Sequence, residues 1–261
     1  MAVVLGEARL KANKRIYAIG DVHGCLDELR LLLNDIQSHF ETHPVAEHKI
    51  ILLGDYVDRG PKSAETIDYL IELKARDPAV FCLFGNHDEK LLRTLKPMAA
   101  GSCRAFMKYG GGTTLKSYGF SDLEIHMLSQ SEFEPSMARA FAKTMANRLP
   151  RSHRKFLRSC VHRLSVDDYY FCHAGIDPHR PLGWQRKNDL IWMREPFVSW
   201  KEPFSKVIIH GHTRQTTIDV QTNRINLDTS CCYGGLLSAL ILEGDQYEFL
   251  QRPALQTYWK S

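Results

Sequence analysis

The sequence predicts an α/β protein whose core is a largely parallel β-sheet, and three observations support this fold class. In the first third of the chain, short apolar runs alternate with segments of helical periodicity, a pattern typical of parallel crossover units. In the second half, strand-like runs follow one another closely, which predicts a second, more antiparallel sheet. Between them, the stretch 97–160 is broken by glycines and is otherwise helical and basic. We therefore expect one domain, residues 1–261, with 97–160 as a helical, cap-like insertion.

The elements of the first third are each predicted by a local pattern. Strands are expected where short runs are almost wholly apolar: 16–19 (IYAI), 49–53 (KIILL) and 79–84 (AVFCLF). Helices are expected where apolar residues recur three or four positions apart: 25–40, 62–75 and 88–95. Each helix follows a strand, so the three strands should lie parallel in one sheet.

The second half is predicted to consist mainly of strands. The runs YYFC, VIIH, RINL, LLSALIL and QYEFL are rich in β-branched, aromatic and leucine residues. They lie at 169–172, 207–210, 224–227, 236–242 and 246–250.

Composition excludes several classes of protein. The chain has 44% hydrophobic and 25% charged residues, which suits a globular core, and 34 Lys+Arg against 30 Asp+Glu give a net charge of only +4. This charge is too small to predict a nucleic-acid partner. Seven cysteines without a CxxC pair indicate reduced thiols. No basic leader and no apolar run of about 18 residues is present, so we expect a cytoplasmic protein without a membrane partner.

Polar clusters beside glycine follow five of the predicted strands. The clusters read GDVHG, GDYVDRG, GNHD, HAG and GH. Ligands of open α/β sheets bind beyond the carboxyl ends of strands, so these side chains should meet at one edge. They are Asp21, His23, Asp55, Asp58, Asn86, His87, His173 and His212.

The residue types in these clusters predict a metal centre. A mixture of carboxylate, imidazole and amide ligands suits a divalent ion such as Mn²⁺, Fe or Zn²⁺. Asp21 and His23, two residues apart in an extended segment, can face the same way, and Asp55 has two oxygens with which to bridge two ions. Two ions about 3.5–4 Å apart would clamp a phosphoryl group and convert bound water to hydroxide.

Three further residues complete a predicted phosphate site. The forked guanidinium of Arg59 matches phosphate oxygens. His87 is free to protonate a leaving oxygen, and Asp58 would hold that imidazole charged and oriented. Taken singly, each residue has a simpler interpretation as a turn, helix cap or surface group. Five such clusters in this order favour the functional interpretation.

The five motifs resemble the series found in the phosphoprotein phosphatase family of calcineurin-like metallophosphoesterases, over about residues 15–243. This resemblance implies two facing mixed β-sheets flanked by helices. It also implies that Asp21 and His23 hold one ion, that Asp55 bridges, and that His87 and Asp58 form the acid pair. The second ion would be held by Asn86, His173 and His212, and phosphate would be bound by Arg59, Asn86 and Arg194. Arg194 is assigned only because NDLIWMRE resembles a stretch of the phage lambda enzyme, whose glycine-rich cap segment is similar to KYGGGTTLKSYG.

Two features distinguish this chain from the family's protein phosphatases. Asp88 in GNHD and the stretch LDTSCCYGG resemble symmetrical diadenosine-tetraphosphate hydrolases, but those enzymes have Ala where this chain has Asp58. His210 stands where relatives carry an apolar or aromatic residue, and Arg214 stands where related phosphodiesterases have His. We therefore interpret His210 as supporting rather than ligating.

Because Asp58 contacts the chemistry, we expect a manganese-dependent serine/threonine protein phosphatase that acts on phosphoproteins or phosphopeptides. The alternative is a symmetrical bis(5'-nucleosyl)-tetraphosphatase acting on a nucleotide. A third class, a phosphate-binding module without activity, is disfavoured because every expected ligand and the acid pair are present.

Overall fold

The computed structural model describes residues 2–96, 100–130 and 133–260. Residues 97–99, at the start of the predicted insertion, and the end residues 1 and 261 of the predicted domain lie outside this description. The strands are β1 Lys14–Ile19, β2 Glu47–Leu52, β3 Val80–Cys82, β4 Arg163–Val166, β5 Tyr169–Cys172, β6 Val207–His210, β7 Asp219–Val220, β8 Arg224–Asn226, β9 Leu236–Glu243 and β10 Gln246–Pro253. The helices are α1 Leu26–Thr42, α2 Ser63–Arg76, α3 Asn86–Thr94, α4 Ala100–Phe106, α5 Gly112–Ser117, α6 Asp122–Ser129, α7 Pro135–Arg148, α8 Arg151–Ser159 and α9 Lys187–Trp192.

The first sheet has the strand order β10-β9-β1-β2-β3. β1, β2 and β3 run parallel, as the alternation of strands and helices predicts, and α1 and α2 are the crossovers between them. β9 and β10 form a hairpin that joins β1 in antiparallel orientation. The last two strands of the chain therefore extend the first sheet.

The second sheet has the order β4-β5-β6-β8-β7, and its arrangement corrects one expectation. The pairs β5–β6 and β6–β8 are parallel, whereas only the edge strands β4 and β7 pair in antiparallel fashion. The expectation of a more antiparallel sheet was therefore wrong for its centre. Close spacing suggested hairpins, but the segments between these strands are long enough to return to the same end of the sheet. The prediction of two mixed sheets flanked by helices is confirmed.

The two sheets pack face to face and helices cover their outer faces. The core between the sheets contains side chains of both, among them Ile51, Leu240, Phe171 and Ile209, all fully buried. A second core lies between the first sheet and α1, α2 and the helices that follow. Burial on both faces accounts for the nearly continuous apolar character of β1 and β6.

The described residues of the segment predicted as an insertion are mostly helical. α4 to α8 follow one another, and a wide turn at Met107–Gly111 separates α4 from α5. α4 contacts α3, and α5 contacts α2, so this segment lies against the helical side of the first sheet. In the part of the chain that the structure describes, no helix is both long and apolar enough to cross a membrane.

Candidate active site

Every polar cluster predicted to follow a strand lies at one edge of the two sheets. The first sheet supplies the clusters after β1, β2 and β3, and the second sheet supplies those after β5 and β6. The eight residues are at most 8% exposed: Asp21, His23, Asp55, Asp58, Asn86, His87, His173 and His212. Eight polar side chains buried together need partners among themselves or in a ligand.

The backbone at this edge adopts an unusual conformation. Nine described residues other than glycine have positive φ, and five of them belong to the site or its phosphate-binding loop. Those five are His23 (46°), Asp55 (53°), Asp58 (73°), Arg59 (72°) and His212 (64°). Because left-handed backbone costs about 1–2 kcal/mol for residues with a Cβ, the surrounding packing must impose this geometry.

Two glycines permit the close approach of the site carboxylates. A Cβ on Gly85 would lie 2.2 Å from Asp55 Oδ1, and one on Gly211 would lie 2.0 Å from Asp21 Oδ1. Any other residue at either position would displace a carboxylate. The glycines of GNHD and GHT are therefore required by packing.

Asp21, His23 and Asp55 form the first group of candidate metal ligands. His23 Nε2 lies 3.5 Å from Asp55 Oδ2 and 4.0 Å from Asp21 Oδ2. The Nδ1–H of His23 donates to the carbonyl of Val57 at 2.8 Å, so its Nε2 lone pair faces the carboxylates. Burial lowers the pKa of His23 to about 3, with Arg59 adding to the effect. The neutral imidazole is the form that binds a metal.

Asp55, Asn86, His173 and His212 form the second group. His173 Nε2 lies 3.4 Å from Asp55 Oδ1, and both His173 Nε2 and His212 Nδ1 lie 3.0 Å from Asn86 Oδ1. The Nδ1–H of His173 donates to the carbonyl of Leu53 at 3.0 Å, which leaves its Nε2 as an acceptor. Asp55 is common to the two clusters whose candidate ligand atoms lie close together, as a bridging carboxylate requires. These clusters are His23, Asp55 and His87, and Asp55, His173 and His212.

The amide of Asn86 indicates what this second group is built to bind. Its oxygen faces His173 Nε2, which has no proton to offer, and a contact between two lone pairs is unfavourable unless a cation lies between them. Turning the amide over would let its NH₂ donate to His173, His212 and Asp55, at 3.0, 3.0 and 3.2 Å. That arrangement satisfies the protein groups among themselves but removes the amide oxygen from the cluster. The orientation in the structure fits a divalent metal, and the six residues of the two groups would hold two ions.

Burial and mutual charge shift the pKa values of the site carboxyl groups in different directions. Burial raises the pKa of Asp21, and the neighbouring carboxylates of Asp228 and Asp55 raise it further. Burial also disfavours the ionised form of Asp55. The histidines around that carboxylate have the larger, opposite effect and hold its pKa well below the usual value. One carboxyl group thus favours its protonated form, whereas its neighbour favours its ionised form. A cation bound beside them would stabilise the ionised form of both.

His87 and Asp58 form the pair expected from the sequence, with one difference in their electrostatics. His87 Nδ1 lies 2.6 Å from Asp58 Oδ2, and Thr114 Oγ1 donates to Asp58 Oδ1 at 2.7 Å. Burial raises the pKa of Asp58 to about 7 and lowers that of His87 well below its usual value. Burial thus disfavours the ionised form of both groups, whereas the sequence led us to expect a fixed imidazolium. The role of the pair as the acid stays a prediction.

Arg59 and Arg194 both reach the imidazole edge of the site. Arg59 Nη1 lies 2.5 Å from His23 Nε2, and Arg59 Nη2 lies 3.0 Å from His87 Nε2. Arg194 Nε donates to His212 Nε2 at 3.2 Å. Both guanidinium groups are thus beside the predicted ions, as predicted phosphate ligands should be.

The site opens into a cavity of about 730 Å³. Six cationic side chains line it: Arg59, Lys90, Lys108, Arg194, Arg214 and Lys260. Four aromatic side chains line it as well: Tyr109, Trp192, Tyr233 and Trp259. Its carboxylates are Asp55 and Asp228. The arginines 59 and 214 lie over the Tyr233 ring, at 5.4 and 4.3 Å from its centroid.

Sequence analysis missed several residues of this site, among them Lys90 and Thr114, which contact the acid pair. Lys90 was not singled out, because a lysine on a helix is ordinarily a solvated charge. Thr114 lies far from the strand motifs in the chain, and only the fold of the insertion brings it to Asp58. In the sequence, Lys90 is marked only by its place three residues after His87, and Thr114 only by its place shortly after GGG. Both patterns are too common to predict a role.

The residues that distinguish this chain from protein phosphatases have structural roles. The carboxylate of Asp88 accepts from the backbone N–H groups of Gly85, Asp55 and Tyr56 at 2.9, 3.1 and 3.0 Å. His210 is fully buried, and its ring meets that of Phe197 edge-on at 4.9 Å. It lies under the site rather than among the ligands.

A comparison with family models decides the family. The model described as calcineurin-like phosphoesterase matches residues 14–239, which include every residue of the two ligand groups. The chain belongs to the calcineurin-like phosphoesterase family. It is therefore a metal-binding phosphoesterase hydrolase, and members of this family typically bind two divalent ions.

Individual relatives of this calcineurin-like phosphoesterase are mostly named for nucleotide substrates. The asymmetrical bis(5'-nucleosyl)-tetraphosphatase of Anoxybacillus flavithermus is 26% identical over 85% of this chain and 88% of its own length. The symmetrical bis(5'-nucleosyl)-tetraphosphatase of Pseudomonas syringae pv. syringae is 42% identical over 30% of this chain, and the match spans only 24% of that relative. A crystal structure assigned provisionally as a diadenosine tetraphosphatase covers 97% of this chain and is itself covered to 98%, with a TM-score of 0.60 at 22% identity.

Proposed function

We propose that this calcineurin-like phosphoesterase hydrolyses the polyphosphate bridge of dinucleoside tetraphosphates. The charge of the cavity carries this proposal. Six cationic side chains face two carboxylates there, and both carboxylates lie beside the predicted ions. A phosphoserine or phosphothreonine presents a single phosphate, which two arginines and the ions would already neutralise. The four remaining cations suit a substrate with several phosphates in a row.

The aromatic side chains of the cavity support a nucleotide at the ends of that bridge. Tyr109 and Trp192 lie against the Lys90 ammonium but are still 44% and 36% exposed, so part of each ring is accessible for contact with a base. Base–aromatic stacking contributes about 1–3 kcal/mol per base. One tetraphosphatase matches this chain over most of its own length, and another matches it over a short segment. The names of both are consistent with this substrate class.

The chemistry divides between the ions and the protein. The ions, when held by the two ligand groups, supply water activated for attack near neutral pH and neutralise the phosphoryl charge. Arg59, Arg194 and the amide NH₂ of Asn86 would hold the phosphoryl oxygens. His87 would face the leaving oxygen, oriented by its bond to Asp58. Preorganised donors of this kind are typically worth ~10²–10³-fold each in rate.

A serine/threonine protein phosphatase, which the sequence favoured, is the second candidate. One observation favours it: the His87–Asp58 pair is intact, at 2.6 Å. Such a pair matters most when the leaving group is an alkoxide, which departs poorly without a proton. The cavity and the names of the relatives favour the nucleotide substrate instead.

The test compares diadenosine tetraphosphate, a phosphoserine peptide and p-nitrophenyl phosphate as substrates of the Mn²⁺-loaded protein. We expect kcat/KM for the dinucleotide to exceed that for the peptide by at least ~10²-fold, the size of one catalytic contribution. Two equivalents of ADP would identify symmetrical cleavage, and ATP with AMP would identify asymmetrical cleavage.

Asp58→Ala separates the two candidates further. We expect it to spare cleavage of the dinucleotide and to reduce turnover of the peptide. A wild-type protein that prefers the peptide, together with a large loss in Asp58→Ala, would refute the nucleotide proposal and establish the second candidate.

A further inference from the structure

Lys90 is a buried cation at the centre of the cavity. It is 6% exposed and lies on α3, three residues after His87 and four after Asn86, so the three side chains share one face of the helix. Its Nζ lies 3.4 Å from His87 Nε2, the atom that faces the leaving group in the proposed mechanism. No motif in the sequence assigns a role to this lysine.

Two aromatic rings hold the Lys90 ammonium in place. Nζ lies 4.6 Å from the ring centroid of Tyr109 and 4.8 Å from that of Trp192. Trp192 is itself held, because its Nε1–H donates to Glu89 Oε2 at 2.9 Å. One ring comes from the turn after α4 and the other from the end of α9, so residues of three separate elements fix one charge. Such an arrangement limits the mobility of an otherwise flexible side chain.

Lys90 has no acidic partner at ion-pair distance. Among the residues that the structure describes, no carboxylate oxygen lies within 4.0 Å of its Nζ. Burying an ammonium without a counter-charge costs several kcal/mol in free energy of folding. The aromatic rings offset only part of that cost, at about 2 kcal/mol for a desolvated cation–π contact. The position is favourable once an anion is bound beside it.

The Asn86 amide indicates where that anion lies. With its oxygen turned toward the predicted ion, its NH₂ faces Lys90, and the amide and ammonium groups are 3.2 Å apart. An anion bound to both donors would satisfy them. Without one, turning the amide over would let its oxygen accept from the Lys90 ammonium at the same 3.2 Å. Arg59 Nη2 approaches the same region, 3.0 Å from His87 Nε2. Three donors of positive or partial positive charge thus converge beside the leaving-group position.

We propose that Lys90 binds the leaving phosphate of an anhydride substrate and thereby sets a preference for P–O–P bonds over phosphate esters of alcohols. The proposal rests on the proposed function and deepens it. In the step, water adds its oxygen to the attacked phosphorus. The bond from that phosphorus to the bridging oxygen breaks, and its electron pair stays on the bridging oxygen. The protons of water are released to solvent, so two phosphate products form.

The reason for the preference lies in the charge of the leaving group. A departing phosphate is a weakly basic anion, so a fixed ammonium can stabilise it without transferring a proton. A departing alkoxide is strongly basic and needs a proton from an acid such as His87. Lys90 should therefore assist the first reaction and contribute little to the second.

The test uses Lys90→Met, which keeps the length of the stem and removes the charge, beside Lys90→Arg, which keeps the charge. Lys116→Met is the matched control, because Lys116 is exposed and pairs with Asp122 away from the cavity. We expect Lys90→Met to lower kcat for diadenosine tetraphosphate by ~10²–10³-fold and to change kcat/KM for p-nitrophenyl phosphate by less than ~10-fold. Lys90→Arg should recover part of the loss, and Lys116→Met should match the wild type.

Calorimetric titration with ADP, a product of the anhydride reaction, gives a readout independent of turnover. Lys90→Met should bind ADP about tenfold more weakly, whereas the control should bind it as the wild type does. Equal losses on both substrates, or unchanged ADP affinity, would overturn the proposal and make Lys90 a support for His87. Thermal unfolding of each variant checks that the fold is retained, and Lys90→Gln replaces Lys90→Met if the latter is unfolded.

The two proposals fail in different ways. If the wild type does not cleave the dinucleotide, the proposed function fails, and ATP then replaces it as the anhydride in the same comparison. If Lys90→Met turns over ATP and p-nitrophenyl phosphate in the same ratio as the wild type, the proposed role of Lys90 is overturned as well.

Discussion

At the scale of single residues, Asp88 shows how one carboxylate organises two functional loops. It accepts from the backbone N–H groups of Gly85, Asp55 and Tyr56, which belong to the loops after β3 and β2. Burial raises the pKa of Asp88 well above its usual value, and the backbone donors oppose that shift. The carboxylate therefore supports Asp55 from behind without being a ligand itself.

Replacing Asp88 by Asn should mainly affect stability. The Asn NH₂ would face backbone N–H groups, so we expect the free energy of unfolding to fall by about 1–3 kcal/mol. Denaturant titration measures this. Asp88→Glu restores the charge and should recover most of the loss. A variant as stable as the wild type would show that these hydrogen bonds contribute little.

At the scale of secondary-structure elements, the insertion supplies part of the acid pair's environment. Thr114 lies on α5, donates to Asp58 Oδ1 at 2.7 Å and accepts from the Asp58 N–H at 2.8 Å. Asp58 itself lies on left-handed backbone after β2. A short helix from a distant segment thus fixes a carboxylate whose own loop is strained.

Thr114→Val removes this hydroxyl and keeps the shape of the side chain. We expect turnover of the phosphoserine peptide to fall by about 10–100-fold, the usual cost of losing a supporting hydrogen bond in a site. Turnover of p-nitrophenyl phosphate, whose leaving group needs no proton, should fall less. The pH dependence of kcat should shift as well, because the Thr114 hydrogen bond lowers the pKa of Asp58. Thr113→Val is the control, since the Thr113 hydroxyl donates to the Gly110 carbonyl and not to Asp58. Equal effects of both substitutions would contradict a specific role for Thr114.

His210, at the end of β6, makes the stability of the fold sensitive to acid. Burial, with Arg224 beside it, lowers the pKa of His210 to about 3. An unfolded histidine has a pKa near 6.5, so between these values the unfolded state binds a proton that the folded state does not. Stability is therefore greatest above pH 6.5 and is lost as the pH falls toward 3.

His210→Phe should remove this contribution to acid sensitivity. Relative to pH 7.5, the wild type should lose roughly 2 kcal/mol more than the variant at pH 5, since each pKa unit is worth about 1.4 kcal/mol. Urea unfolding at the two pH values measures the difference. If the free energy of unfolding changes equally with pH in the two proteins, His210 binds a proton as readily in the folded state as in the unfolded state.

The sequence predicted the positions of the site residues that follow strands, but it gave little indication of the site residues that lie elsewhere. Asp21, Asp55 and His173 were predictable because parallel strands carry the residues after them to one edge. Arg194 was found only through resemblance, since it follows a helix and not a strand. Lys90 and Thr114 are placed by helix packing between distant segments, which periodicity does not encode. The parallel centre of the second sheet was missed for the same reason.

At the scale of the whole molecule, the predicted ions would join the two sheets. Asp21, His23, Asp55 and Asn86 follow strands of the first sheet, whereas His173 and His212 follow strands of the second. Ligands from both sheets meet within hydrogen-bond distance, at Asn86 and His173. Metal bound there would stabilise the contact between the sheets.

Removal of metal should therefore lower the stability of the whole fold. A ligand at 100 times its Kd stabilises the native state by about 2.7 kcal/mol. We expect EDTA to lower the midpoint of thermal unfolding and Mn²⁺ to restore it. Asp55→Asn should abolish the shift and reduce bound metal measured by elemental analysis, whereas Asp245→Asn, on the exposed β9–β10 turn, should retain it. A midpoint indifferent to EDTA would refute a structural contribution from the ions.

The left-handed backbone at His23, Asp55, Asp58, Arg59 and His212 has an evolutionary consequence. Glycine adopts this conformation without steric cost, so replacing these residues by glycine relieves strain while it removes a ligand or a phosphate contact. A library of the metal-free protein selected only for thermal resistance would accumulate such replacements and become inactive. Five side chains held in this conformation are therefore expected where activity rather than stability requires them. Five of the nine described non-glycine residues with positive φ lie at the active site, so this strain is concentrated there.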